Sequence, residues 1–152
     1  MKWKKPELEK YVQAKEYVDT ILLPLIPFQM GNDQESEKGS FQNEVISIFA
    51  NEIEKELSGR IMLAPNYYFL KTADKTTEVD RMNAWIHDMQ QQPFEHIILL
   101  TFDAEWKKHE KSINGHILWL PGMQTGDLHS KETIDFIRDQ ISQISEIIRS
   151  YW

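Results

Sequence analysis

The sequence predicts an α/β fold, a single domain with a mixed sheet of about four strands and helices on both faces. Three observations predict it. The stretch Tyr17–Phe28, YVDTILLPLIPF, has no charge after Asp19. Pro24 and Pro27 exclude a helix interior there, which leaves a buried strand ending in a Pro-Phe turn. Apolar patterns then follow in the order helix, strand, helix, strand, helix, strand, strand, helix, which suits a sheet wrapped by right-handed crossovers.

The elements follow in chain order. Pro6–Lys15 reads as a first helix, with Pro6 at its first position and Leu8, Tyr11 and Val12 on one face. Val18–Ile26 is the first strand. Pro24 lacks a ladder donor, so the strand is expected at an edge or with a bulge. Gln29–Ser40, QMGNDQESEKGS, reads as an exposed, mobile loop. Phe41–Ser58 is a helix, because Phe41, Val45, Phe49, Ile53 and Leu57 recur every four residues and Gly59 follows. Arg60–Ala64 is a second strand, cut by Pro65. Asn66–Lys75 fits either a strand extension or a packed loop.

Thr76–Gln91 reads as the third long helix, burying Val79, Met82, Trp85, Ile86 and Met89. His96–Phe102 is the third strand. Leu100, Phe102, Ala104 and Trp106 continue its alternation, and Asn114-Gly115 is a hairpin-type dipeptide. The reading is therefore a hairpin, with a turn over Lys108–Gly115 and a fourth strand over His116–Leu120. The competing reading makes Ala104–Lys111 a crossover and the two strands parallel. Pro121–Asp127 is a loop. Ser130–Tyr151 is the last helix, striped by Ile134, Ile137, Ile141, Ile144, Ile148 and Tyr151.

Composition narrows the function. The 152 residues are 41% hydrophobic and 27% charged, as in folded proteins rather than disordered ones. The net charge of −7 disfavours nucleic acid and anionic membrane as partners. There is no cysteine, so thiol nucleophiles, disulfides and thiolate metal sites are excluded. The MKWKK start is followed by Pro6-Glu7-Leu8-Glu9 rather than an apolar core, so no signal peptide is expected, and the reading is cytoplasmic.

No phosphate-binding glycine loop, GxSxG or HExxH motif is present. None of the five histidines is three or four residues from another, so no helix presents a metal-binding pair, and neither a metal nor a cofactor is expected. Catalytic residues are not identifiable. Asn32, Asp33, Asn66, Asp103 and Asp127 fall near strand ends, where an α/β sheet places ligands, and form a candidate ligand-binding set. The alternative is that they make ordinary turns and caps. Trp3, Ile147, Tyr151 and Trp152 form a candidate interface for a protein partner or a homodimer, since aromatic residues are enriched at such surfaces. The leading functional reading is a non-enzymatic interaction or accessory protein. The alternative is a small-ligand binder or metal-assisted enzyme using the acidic loops.

The Trp3 start, YVQAKEYVDTILLPLIPF at residues 11–28, HIILLTFD and HILWLPG together resemble the YpiF-like family of Bacillus and its relatives. That family has no assigned activity, so the resemblance implies no site residues. Its genes resemble neighbours of the menaquinol–cytochrome c reductase genes, and this implies a link to that respiratory complex.

Overall fold

The computed structural model describes residues 1–122 and 126–152. Its helices are α1 (Lys5–Gln13), α2 (Asp33–Glu56), α3 (Lys75–Met89) and α4 (Lys131–Arg149). Its strands are β1 (Thr20–Phe28), β2 (Ile61–Leu63), β3 (Tyr67–Leu70), β4 (His96–Thr101) and β5 (His116–Trp119). Two 3₁₀ segments, Lys15–Tyr17 and Ala104–Ser112, complete the described elements.

β1 is central. Thr20–Leu22 pair with β2, Leu25–Phe28 pair with β3, and Thr20–Pro24 pair with β4 on the other side. β2 and β3 thus lie end to end along one flank of β1, so five strands occupy four positions. Every described pairing is parallel, including β4 with β5.

The expected α/β class, with helices on both faces, is what the chain adopts, and the hairpin is corrected. Asp103 accepts a hydrogen bond from the Glu105 N–H at 3.0 Å and starts a 3₁₀ crossover instead of continuing the strand. Leu100 and Phe102 pack on one face of the sheet, but Trp106 is buried in the core of the other. The apparent alternation therefore spans two different elements. Gly115 does not make a hairpin turn either. Such turns need left-handed backbone, and among the described glycines only Gly59 and Gly126 have positive φ. Gly115 instead lets the chain pass close to β4, since a Cβ there would stand 3.3 Å from the Ile97 carbonyl oxygen.

The prolines of β1 are explained without an edge position. In a parallel ladder the N–H and C=O of one residue point to the same neighbour. The Leu22 carbonyl accepts from Ala64 N–H, so the even residues of β1 face the β2–β3 flank. Pro24 therefore directs its missing donor at the gap between β2 and β3, where Pro65 interrupts the flank. Pro27 faces the other side, where pairing with β4 has already ended at Pro24. Neither proline removes a bond that a neighbour could make.

The expected Gln29–Ser40 loop is also corrected, because α2 begins at Asp33. Asn32 accepts from the Glu35 N–H at 3.2 Å, and Asp33 and Glu35 sit in the first turn, where acids suit the helix dipole. Ser36 Oγ donates to the Gln29 carbonyl at 2.6 Å and ties the short connection down. The expected Pro121–Asp127 loop lies partly outside the described residues.

Two cores result. Leu22, Ile26, Ile98 and Leu100 meet Phe49 and Ile53 of α2 and Ile141, Ile144 and Ile148 of α4. On the opposite face, Ile21, Leu23, Leu25, Ile97 and Leu99 meet Tyr11 of α1, Met82 and Ile86 of α3, and Tyr67, Phe69 and Trp106. No helix of the described residues is long and apolar enough to cross a membrane.

Candidate functional site

A cavity of about 460 Å³ opens on the second face, between α1 and α3 and over the start of β1 and the end of β2. Its size lies within the range of small-molecule sites. Ile21 and Met62 form its floor, because alternation along β1 and β2 points both toward this face. Trp85, Asp88 and Met89 come from one side of α3 at i, i+3, i+4 spacing. Trp3 and Leu8 approach from the opposite wall, and Phe94 closes one end.

The cavity exists because α1 is held at a few points only. Tyr11 is the one fully buried residue of α1. Its ring stacks on Phe94 at 5.7 Å, and its hydroxyl donates to Gln92 Oε1 at 3.1 Å. Trp85 is braced from behind by Tyr67, edge to face at 5.3 Å. Tyr67 in turn donates to Glu78 Oε2 at 3.0 Å, and Arg81 lies 4.1 Å over its ring. Burial is the main cause that raises the Tyr67 pKa well above the usual phenol value. Trp85 is thus held from behind by packed and hydrogen-bonded neighbours, while Trp3 at the mouth is 66% exposed.

The five sequence-predicted ligand residues lie elsewhere, and none lines the cavity. Asn32 caps α2, and Asp33 is exposed in its first turn. Asn66 sits between β2 and β3 and donates to Ser47 Oγ at 3.4 Å. Asp127 accepts from the His129 N–H at 2.9 Å in the turn before α4. Asp103 has the richest surroundings. Lys71 and Lys75 donate to its Oδ2 at 2.8 and 3.3 Å, and Lys75 also lies over the Phe69 and Trp106 rings at 4.4 and 5.0 Å. Burial pushes the Asp103 pKa up, but the Lys71 hydrogen bond, the Glu105 N–H and the two lysine charges outweigh it, and the carboxyl is held below the usual range. These contacts tie the end of β3 to the start of α3 and the end of β4. Asn32, Asn66, Asp103 and Asp127 each make bonds that a turn, cap or clamp requires, and Asp33 places its charge in the first turn of α2. Among the described residues, no group of three or more His, Cys, Asp and Glu is arranged to hold a metal ion.

The four candidate interface residues divide. Trp3 lines the cavity, and Ile147 is 41% exposed. Tyr151 stacks on His116 at 4.8 Å. Trp152 donates from Nε1 to the buried Thr20 Oγ1 at 2.8 Å, while Arg60 covers its ring at 4.0 Å and also binds Asp19. The main stripe of α4, Ile137, Ile141, Ile144 and Ile148, faces its own sheet.

Sequence reasoning placed Trp85 and Met89 on the buried side of α3 and passed over Asp88 and Phe94. The available signal was two large side chains four residues apart with an acid beside the second. A core position tolerates the first two, whereas a carboxylate needs a partner or an opening.

The protein-family model described as "Protein of unknown function (DUF2487)" matches residues 9–152. The "Uncharacterized protein YpiF" of Bacillus subtilis (strain 168) is 30% identical over 115 residues, spanning 72% of this chain and 71% of that protein. No solved structure matches. The match from α1 to the end of α4 takes in both faces of the sheet, and the chain belongs to the DUF2487 family of proteins of unknown function.

Proposed function

We propose that this protein is a cytoplasmic accessory protein that binds a small apolar molecule between α1 and α3, and that it acts by binding rather than by catalysis. The cavity carries the reading. Its walls are Trp, Phe, Met, Leu and Ile side chains with two polar groups, Asp88 and Gln92, which is the usual composition of a ligand site. One carboxylate without a second acid, a base or a nucleophile beside it supports binding over acid–base chemistry. The groove between α2 and α4 is of similar size, about 410 Å³, but Glu52, Glu56 and Arg138 line it, so it offers an apolar guest a poorer surface. Of the four residues expected to meet a protein partner, Trp3 at the mouth of the cavity and Ile147 on α4 stand exposed and would be the ones to meet it.

The neutral dye N-phenyl-1-naphthylamine tests the proposal. The full chain should bind it saturably with a rise in fluorescence, and Ala84→Phe, which projects a ring from α3 into the cavity, should remove the binding. No saturable rise would overturn the proposal. So would a rise that survives Ala84→Phe and is lost in Ile134→Glu, in the α2–α4 groove.

A further inference from the structure

We infer that the ligand of this cavity is an organic cation, a substituted ammonium group carried on an apolar body. The inference rests on the cavity reading above and adds the charge of its guest.

Three aromatic side chains, Trp3, Trp85 and Phe94, line one space. Aromatic faces are electronegative and attract ammonium groups, and Trp is the strongest of them. Among the described residues Asp88 is the only charged one of the lining, and no lysine, arginine or histidine lines the cavity with it. Among the described residues Asp88 takes part in no ion pair, whereas Glu78 and Asp103 at the other end of α3 are both engaged. An anionic guest would meet this carboxylate at close range, with only the neutral donors of Gln92 and the Trp indoles to offset it. A neutral guest would leave it unused. A cation gains both the rings and the carboxylate. Met62 and Met89 add polarisable surface that adapts to guests of differing shape.

The lysines beside Trp3 weigh the other way. Lys2, Lys4 and Lys5 lie next to Trp3 in the sequence, but none lines the cavity, and Glu7 and Glu9 of α1 offset part of their charge. Exposed charges more than about 8 Å from a guest are largely screened at physiological salt, whereas the Asp88 carboxylate, exposed at the rim of the lining, would lie within contact range of it.

Three probes of similar size separate the possibilities: phenyltrimethylammonium, its neutral isostere tert-butylbenzene, and benzenesulfonate. Each is titrated into the full chain and followed by NMR. The cation should bind about tenfold more tightly than the isostere, as expected for an ammonium group gaining aromatic and carboxylate contacts. The sulfonate should bind most weakly. Asp88→Asn should lower the affinity for the cation toward that of the isostere and leave tert-butylbenzene unchanged. Asp88 is exposed on α3, and retained binding of the neutral probe shows that the variant is folded. Equal binding of cation and isostere, or cation binding indifferent to Asp88→Asn, overturns the charge inference and leaves the cavity reading standing. Binding of none of the three overturns both.

Discussion

The two faces of one sheet are finished in different ways. On one, α2 and α4 present aliphatic stripes, and Phe49, Ile53, Ile144 and Ile148 are buried at or near 0% exposure against β1 and β4. On the other, a short α1, α3 and a 3₁₀ crossover bring aromatic side chains in both stacked and edge-to-face pairs, and a cavity remains where α1 stands off α3. The same strands supply both floors, since alternation along β1 sends Leu22 and Ile26 one way and Ile21, Leu23 and Leu25 the other. The helices decide the difference. The long helices close-pack on β1 and β4 and leave only an outer groove between α2 and α4 with charged residues in its walls, whereas a nine-residue helix with one buried side chain makes a wall but not a seal over the strands.

The largest effect that tests this contrast is a pair of truncations. Phe49→Ala should cost about 3–5 kcal/mol in urea unfolding, because a large side chain is removed from a filled site. Trp85→Ala should cost less than half as much, about 1–2 kcal/mol, because part of its ring faces open space and forfeits fewer contacts. Equal losses would break the contrast.

Next in size is the clamp on the aromatic face. Asp103→Asn should cost about 1.5–3 kcal/mol at neutral pH, the range for hydrogen bonds to a charged group. The sign with pH follows from the lowered pKa of Asp103. The unfolded chain takes up its proton before the folded one, so this stability is complete above the normal carboxylate range and is lost as pH falls through the folded pKa. The difference between the wild-type and Asp103→Asn unfolding free energies should therefore shrink on acidification. A difference that grows would show that the lysines do not hold this carboxylate.

On the filled face, Asn32→Ala should cost about 1 kcal/mol by removing the cap of α2, and Asn32→Asp should restore it. Thermal unfolding measures both, and a cap without effect would mean that the polar first turns of α2 do not need it. The smallest expected change belongs to the cavity. Ala84→Phe should alter stability by no more than about 0.5 kcal/mol, as at most exposed positions, while blocking the ligand.

These contrasts also mark what was legible in the sequence. β1, α3 and α4 were, because their apolar periods report burial directly. The start of α2 was not, since Asp33–Ser40 faces solvent and carries no apolar period. Its one signal was Asn32 followed three residues later by Glu35, a capping pattern inside a polar run. The parallel pairing of β4 and β5 was hidden by an accidental alternation from Leu100 to Trp106. Of the site, Trp3 was singled out as an interface residue. The cavity itself was not legible, because a void depends on how far α1 stands from α3, and no residue pattern states a distance.

The cavity between α1 and α3 is tested most directly by NMR of the five tryptophan indole N–H groups during titration with tert-butylbenzene. Trp3 and Trp85 should shift together and saturably, with the backbone amides of Ala64 and Met89, while Trp106, Trp119 and Trp152 stay in place. Shifts centred on Trp119 and Trp152, on the residues lining the α2–α4 groove, or on no tryptophan at all would contradict the account.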